Sequence, residues 1–152
     1  MEGLVCKLDS LAPGSWFVTG ENDPAMIGFS AVIADKKLYF YADGKKISNR
    51  NAVVFPIKNV SIAPDILSYC AVGQPQIGDL LFFGSEQVLV VENNGYRNFV
   101  VNLETGIFRQ IEDLDGYCGW FKKWTLMVAH EGRDPEAVYQ KDADVAPQFI
   151  PL

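Results

Sequence analysis

Ala12-Pro-Gly-Ser-Trp-Phe-Val-Thr-Gly20 aligns without a gap on Gln76-Ile-Gly-Asp-Leu-Leu-Phe-Phe-Gly84. Gly14 falls on Gly78 and Gly20 on Gly84. In each stretch a turn glycine precedes a short run of apolar, aromatic or β-branched residues, the composition of a buried strand. Each is followed by an apolar run and then by a strand ending in an acidic turn. The first of these strands is Leu38-Tyr-Phe-Tyr-Ala-Asp-Gly44 and the second is Phe99-Val-Val-Asn-Leu-Glu-Thr-Gly106. This order predicts an all-β, mainly antiparallel fold of two similar small halves, barrel-like or sandwich-like. A duplicated unit produces such an echo. So does any meander punctuated by glycine, because glycine accepts positive φ at tight turns.

Outward from the first motif, Met26 to Ala34 reads as a strand, and Asp43-Gly44 reads as a hairpin turn with Lys45 to Ser48 returning. Ala52 to Ile62 is apolar and extended, and Pro56 assigns that point to an edge or bulge because proline donates no ladder hydrogen bond. Pro64 before Asp65 to Ala71 predicts a short helix with Ile66, Leu67 and Cys70 on one face. Gly73 to Gln76 reads as the join between halves. In the second half, Ile77 to Phe83, Gln87 to Glu92, Tyr96 to Leu103 and Ile107 to Ile111 form a meander. Trp120 to His130 reads as one closing strand, with Phe121, Lys123, Thr125, Met127 and Ala129 on one face. The predicted organisation is a β domain over 1–132, divisible into half-repeats 1–72 and 73–132, followed by a C-terminal tail or arm over 133–152 with a helical turn at Glu136 to Gln140.

The 152 residues are 49% hydrophobic and 12% aromatic, enough for a packed interior and against disorder. No apolar run approaches the roughly 20 residues of a membrane helix, and the start Met1-Glu-Gly-Leu-Val-Cys-Lys7 has no signal-peptide pattern. The expectation is a soluble cytoplasmic protein without membrane contact. The formal net charge of −6 disfavours nucleic acid, whose phosphates attract basic surfaces. Cys6, Cys70 and Cys118 are odd in number and widely spaced, which argues against a zinc site or a disulfide framework. No metal and no cofactor is expected. Gly14, Gly20 and Gly84 build neither a dinucleotide nor a phosphate loop.

Two short phrases resemble known types. Leu8-Asp-Ser-Leu-Ala-Pro-Gly-Ser-Trp-Phe17 resembles the start of small barrel proteins carried by phage and mobile elements, which implies an accessory role in such an element. Val101-Asn-Leu-Glu-Thr-Gly106 is similar to the strand-turn of propeller blades, though the chain is too small for a whole propeller. Both phrases are short, and neither transfers a site residue.

A thiol nucleophile needs a base beside it, and His130 is the only histidine. Cys118 is its nearest thiol in sequence, with Asp113 or Asp115 to orient it. An unbroken strand from Trp120 to His130 would hold its ends roughly 30 Å apart, and ordinary cysteines with a surface histidine are the favoured reading. Glu112, Asp113 and Asp115 fit a solvated loop better than a sugar-cleaving pair or a calcium loop. The aromatics carry more. Tyr39-Phe40-Tyr41 and Trp120-Phe121 put consecutive rings on opposite strand faces, as expected if the second face covers another half, a partner or a ligand, and equally if the strand is buried on both sides within one domain.

Three functions follow in order. The first is a non-catalytic β protein that binds another protein, or itself as a homo-oligomer, through Tyr39, Phe121, Phe149 and Ile150. Full burial of the last two would contribute on the order of 1.5–3 kcal/mol each. The second is a small-molecule binder with Trp16, Tyr41 and Trp120 walling a cleft between the halves. The third is a small hydrolase-like enzyme using Cys118 and His130.

Overall fold

Both glycine-led motifs fold in the same way. In the computed structural model, which describes residues 5–19, 26–48, 53–71, 75–83, 85–93, 96–110 and 119–141, Gly14 and Gly78 hold φ of +85° and +93°. Each directs the chain into a four-residue strand. The strands in order are β1 (Cys6–Lys7), β2 (Trp16–Thr19), β3 (Ile27–Ile33), β4 (Lys36–Tyr41), β5 (Val53–Ile57), β6 (Val60–Pro64), β7 (Tyr69–Cys70), β8 (Leu80–Phe83), β9 (Glu86–Asn93), β10 (Tyr96–Asn102), β11 (Phe108–Gln110), β12 (Trp120–Phe121), β13 (Trp124–His130) and β14 (Arg133–Lys141).

They form three sheets: β1-β5-β2-β3-β4, β11-β10-β9-β8-β12-β7, and β14-β13-β6. Every strand-to-strand pairing is antiparallel. The first two sheets repeat one topology. β1 corresponds to β7, β5 to β12, β2 to β8, β3 to β9 and β4 to β10. The returning segment at Lys45 to Ile47, bonded to Tyr41 and Tyr39, takes the place of β11. The hydrogen bonds repeat with the topology. Gly14 N–H donates to Ser30 O at 2.9 Å and Ser30 N–H to Ser15 O at 2.9 Å, while Gly78 N–H donates to Val90 O at 2.8 Å and Val90 N–H to Asp79 O at 3.0 Å.

The halves are related by an approximate two-fold axis. β6 and β13 pair with Ile62 opposite Leu126, and these residues occupy matching places in the two halves. At the ends of this seam, Asp65 N–H donates to Lys123 O and Ala129 N–H to Asn59 O, both at 2.9 Å. These two bonds exchange under the two-fold. Further out, Val32 N–H donates to Gly106 O and Glu92 N–H to Gly44 O, both at 2.8 Å. The Gly14 turn therefore rests on the Glu104–Gly106 turn of the other half, and the Gly78 turn rests on Asp43–Gly44.

One apolar core lies between all three sheets. It takes Trp16, Phe29 and Phe40 from the first half, Leu80, Leu89, Val101 and Phe108 from the second, and Trp124, Leu126 and Val128 from the seam. A row of rings crosses it: Trp16–Phe29 at 5.0 Å, Phe29–Phe40 at 5.9 Å, Phe40–Phe108 at 6.0 Å and Phe108–Phe99 at 5.3 Å. The outer faces of the two large sheets carry smaller cores, with Leu8, Phe17, Tyr39 and Val54 on one and Leu81, Val88, Val100 and Trp120 on the other. This explains the consecutive aromatics: Phe40 faces the shared core and Tyr39 the satellite behind it.

Several expectations need correction. Among the described residues none of the three sheets closes, so the barrel-like alternative is not adopted; all three sheets contribute to the common core. Edge strands β1 and β7 are only two residues long, too short to carry a closing ladder. The short helix at Asp65 to Ala71 is a single 3₁₀ turn at Ile66–Ser68 followed by β7. The closing strand breaks at Lys122-Lys123, so β12 and β13 enter different sheets. Glu136 to Gln140 is part of β14 rather than a helical turn.

Candidate functional site

The 3₁₀ turn is held rigidly but presents its apolar residues to solvent. Asp65 caps it, with Oδ1 accepting from Leu67 N–H at 3.0 Å. Ser68 Oγ–H donates to Asp65 O at 2.7 Å, and Ser68 Oγ accepts from Lys123 N–H at 3.0 Å. These bonds fix the turn to the Lys122-Lys123 break. A single turn has no buried face, so Ile66 is 78% and Leu67 95% exposed. Tyr69, 51% exposed, pairs with Phe121 across β7 and β12. Their rings lie 5.3 Å apart in an edge contact, and Phe82 meets Phe121 from the other side at 5.5 Å. Any side chain at Gly119 would run into the Tyr69 ring. The exposed Ile66, Leu67, Tyr69 and Phe82 thus lie on or beside the segment that the Lys122-Lys123 break anchors, with Phe121 half-buried between the two rings.

Beside Lys122 sits a polar node. Asp79 is 1% exposed. Its Oδ2 accepts from Gln76 N–H at 2.8 Å and lies 3.6 Å from Lys122 Nζ. Burial raises its carboxyl above the ordinary value, opposed by the Gln76 bond and the charges of Lys122 and Lys141. Lys141, at the end of β14, is buried with its Cε against Gly78. Trp124 Nε1–H donates to Gly78 O at 2.9 Å. The node joins the end of β14 to the glycine turn and is structural in character.

The residues expected at sites are dispersed. Trp16 lies in the shared core, Trp120 in the satellite core of the second half, and Tyr41 against the satellite of the first. None of the three lines the open depression of about 640 Å³ bounded by Asp9, Ala34, Asp35, Lys36, Lys37 and Tyr39, which belongs wholly to the first half. Tyr39 is 1% exposed. Phe121 is half-buried, packed against the shared core on one side and in ring contact with the exposed Tyr69 and Phe82 on the other. Phe149, Ile150, Cys118, Glu112, Asp113 and Asp115 lie outside the described residues. His130 Nε2 is 3.0 Å from Glu136 Oε2 within the β13–β14 hairpin. Among the described residues no group of three or more His, Cys, Asp or Glu converges as a metal site, and no helix is long and apolar enough to cross a membrane. Sequence reasoning missed Ile66 and Leu67 as surface residues because a helix would have turned them inward. The available signal was the brevity of that segment before a β-forming Tyr69-Cys70. The chain matches no protein-family model, no curated protein and no solved structure.

Proposed function

We propose that this chain is a non-catalytic cytoplasmic binding protein that engages another protein, including a second copy of itself, through the surface of Ile66, Leu67, Tyr69, Phe82 and Phe121. The observation that carries the reading is the placement of Leu67, 95% exposed, on a turn whose own hydrogen bonds hold it outward. An apolar side chain this exposed gains little from folding, and groups of such side chains mark interaction sites. Two residues on, Tyr69 makes an edge contact with Phe121, which Phe82 also meets edge-on, the kind of aromatic packing that binding hot spots use.

Leu67→Asp tests the reading. Thermal stability should stay within about 0.5 kcal/mol of the parent, as for an exposed position. Self-association measured by sedimentation equilibrium should weaken by roughly tenfold or more, since a charge placed in an apolar contact costs at least 1.4 kcal/mol. Association that is identical in parent and variant removes this surface as the binding site.

A further inference from the structure

We propose that Asp79 is a positioning residue for the Ile66–Leu67 turn, acting through Lys122 on the chain break that clamps it. The proposal rests on the binding role given to Leu67 and names what sets that turn in place from behind. Three observations support it.

The first is the clamp. Lys123 N–H donates to Ser68 Oγ at 3.0 Å, Lys122 N–H to Ser68 O at 3.4 Å and Asp65 N–H to Lys123 O at 2.9 Å. The placement of Leu67 therefore follows the backbone of residues 122 and 123. Those two residues lie between β12, which ends at Phe121, and β13, which begins at Trp124. Asp79 holds this break from the other side, with Oδ2 3.6 Å from Lys122 Nζ. Asp79 is itself a fixed anchor. It is 1% exposed, Oδ2 accepts from Gln76 N–H at 2.8 Å, and its backbone O accepts from Val90 N–H at 3.0 Å.

The second is that the fold does not need this charge. Ser15 occupies the place of Asp79 in the first half. There Ser30 Oγ donates to Ala12 O and accepts from Ser15 N–H, so neutral groups close the turn. Lys58 stands sixty-four positions before Lys122 (58 and 122), and has no carboxylate partner among the described residues. Gly132 stands as far beyond Ser68, with nothing within 4 Å of a built Cβ. Buried charge and clamp occur together at one end of the seam and are both missing at the other. Burying a carboxylate costs free energy, so its presence at one of two matching turns points to a role beyond closing that turn.

The third is the set of charges around it. Lys122 faces Asp79 from the break and Lys141 from β14. Asp43, on the turn of the other half packed against Gly78, directs its Oδ1 to Lys45 N–H at 3.0 Å. Burial raises the Asp79 carboxyl above its ordinary value, so falling pH removes its charge, and the pull on Lys122, earlier than for an exposed carboxylate.

The test uses the full chain as parent, Asp79→Asn, Lys122→Met and Leu67→Asp. Amide hydrogen exchange, corrected for the intrinsic rate at each pH, is followed at Leu67, Lys122 and Lys123, with Val90 as reference. At neutral pH Asp79→Asn and Lys122→Met should each exchange roughly two- to fivefold faster at the clamp, the scale of one ion pair, and match the parent at Val90. As pH falls, the parent's excess clamp protection over Asp79→Asn should vanish. Asp65 titrates in both chains, so this difference belongs to Asp79. Over the same range the parent gains global stability relative to Asp79→Asn, so a merely structural Asp79 would move clamp protection the opposite way. Equal clamp exchange in the parent and Lys122→Met overturns the proposal, and so does clamp protection that follows global stability. Sedimentation equilibrium separates this from the binding role. Association weakened in both Leu67→Asp and Asp79→Asn supports both ideas. Association unchanged in Leu67→Asp removes the binding role, while the exchange result still decides the positioning.

Discussion

Replacing Gly14 or Gly78 with alanine tests the two-fold relation at its closest contacts. Gly14 holds φ +85°, and a Cβ there would stand 2.7 Å from the carbonyl oxygen of Glu104 in the other half. Gly78 holds φ +93°, and its Cβ would stand 2.7 Å from the carbonyl oxygen of Asp43. Two costs combine at each site. A left-handed backbone costs an L-residue roughly 1–2 kcal/mol, and forcing extra volume against fixed backbone costs about 1–3 kcal/mol. Each alanine should therefore destabilise by roughly 2–5 kcal/mol. For a chain of this size that lowers the melting temperature by about 5–15 °C. Gly132 separates the two terms, since it holds φ +79° with nothing within 4 Å of a built Cβ. Gly132→Ala should cost only the backbone part, roughly 1–2 kcal/mol. Urea and thermal unfolding of the three variants supply the comparison. If Gly14→Ala or Gly78→Ala costs no more than Gly132→Ala, the halves do not touch as described and the reasoning fails.

Asp79→Asn should change how stability depends on pH. Burial raises the folded carboxyl above its ordinary 3.8, so between the unfolded and folded values the native state binds more protons. The contribution of this group is then fullest below the unfolded value and is lost as pH rises through the folded one. Chemical denaturation from acidic to neutral pH should show the parent losing stability relative to Asp79→Asn as pH rises; parallel curves would contradict the burial argument. Val128→Pro should cost about 3 kcal/mol or more by removing a ladder donor that faces β14, seen as a lower melting temperature and faster exchange across 133–141. A loss well under 1 kcal/mol would mean that β14 does not depend on that edge.

The meanders were legible because their signals are local. Asp43-Gly44 turns the first half back on itself, and the alternation in Tyr39-Phe40-Tyr41 sorts its rings between two cores. The break at Lys122-Lys123 was not legible. Neither residue is a turn former, and the alternation from Trp120 to His130 runs through it without a phase error. What divides β12 from β13 is the choice of partners, β7 and β8 for one and β6 and β14 for the other, and no local preference encodes that choice. β14 was hidden for a related reason. Asp134-Pro135-Glu136 has the composition of a helix start, and only pairing with β13 makes it a strand. At the candidate site, Phe121 was legible as a two-sided aromatic, whereas Leu67 was concealed by the helical reading of its segment.

The two-fold relation also explains why the three-stranded sheet is lopsided. β13 carries β14 on its outer edge, while β6, its counterpart, has no strand there among the described residues. Lys123 and Ala129 bond across the seam to Asp65 and Asn59. By ladder alternation, the odd-numbered residues of β13 bond to β6 and the even-numbered ones face away. On β6 the residues facing away are then Val60, Ile62 and Pro64. Pro64 occupies the place that Val128 holds on β13, sixty-four positions later (64 and 128). Val128 brings an N–H to that edge and stands opposite Glu136 of β14, whereas Pro64 brings none. A single residue at matching places therefore lets the ladder continue on one side and limits it on the other, the way natural sheets protect an exposed edge. Pro64, on the side that stops, leads directly into the exposed turn at Ile66 and Leu67. The departure from symmetry in the sheet and the apolar surface beside it thus lie at one end of the same seam.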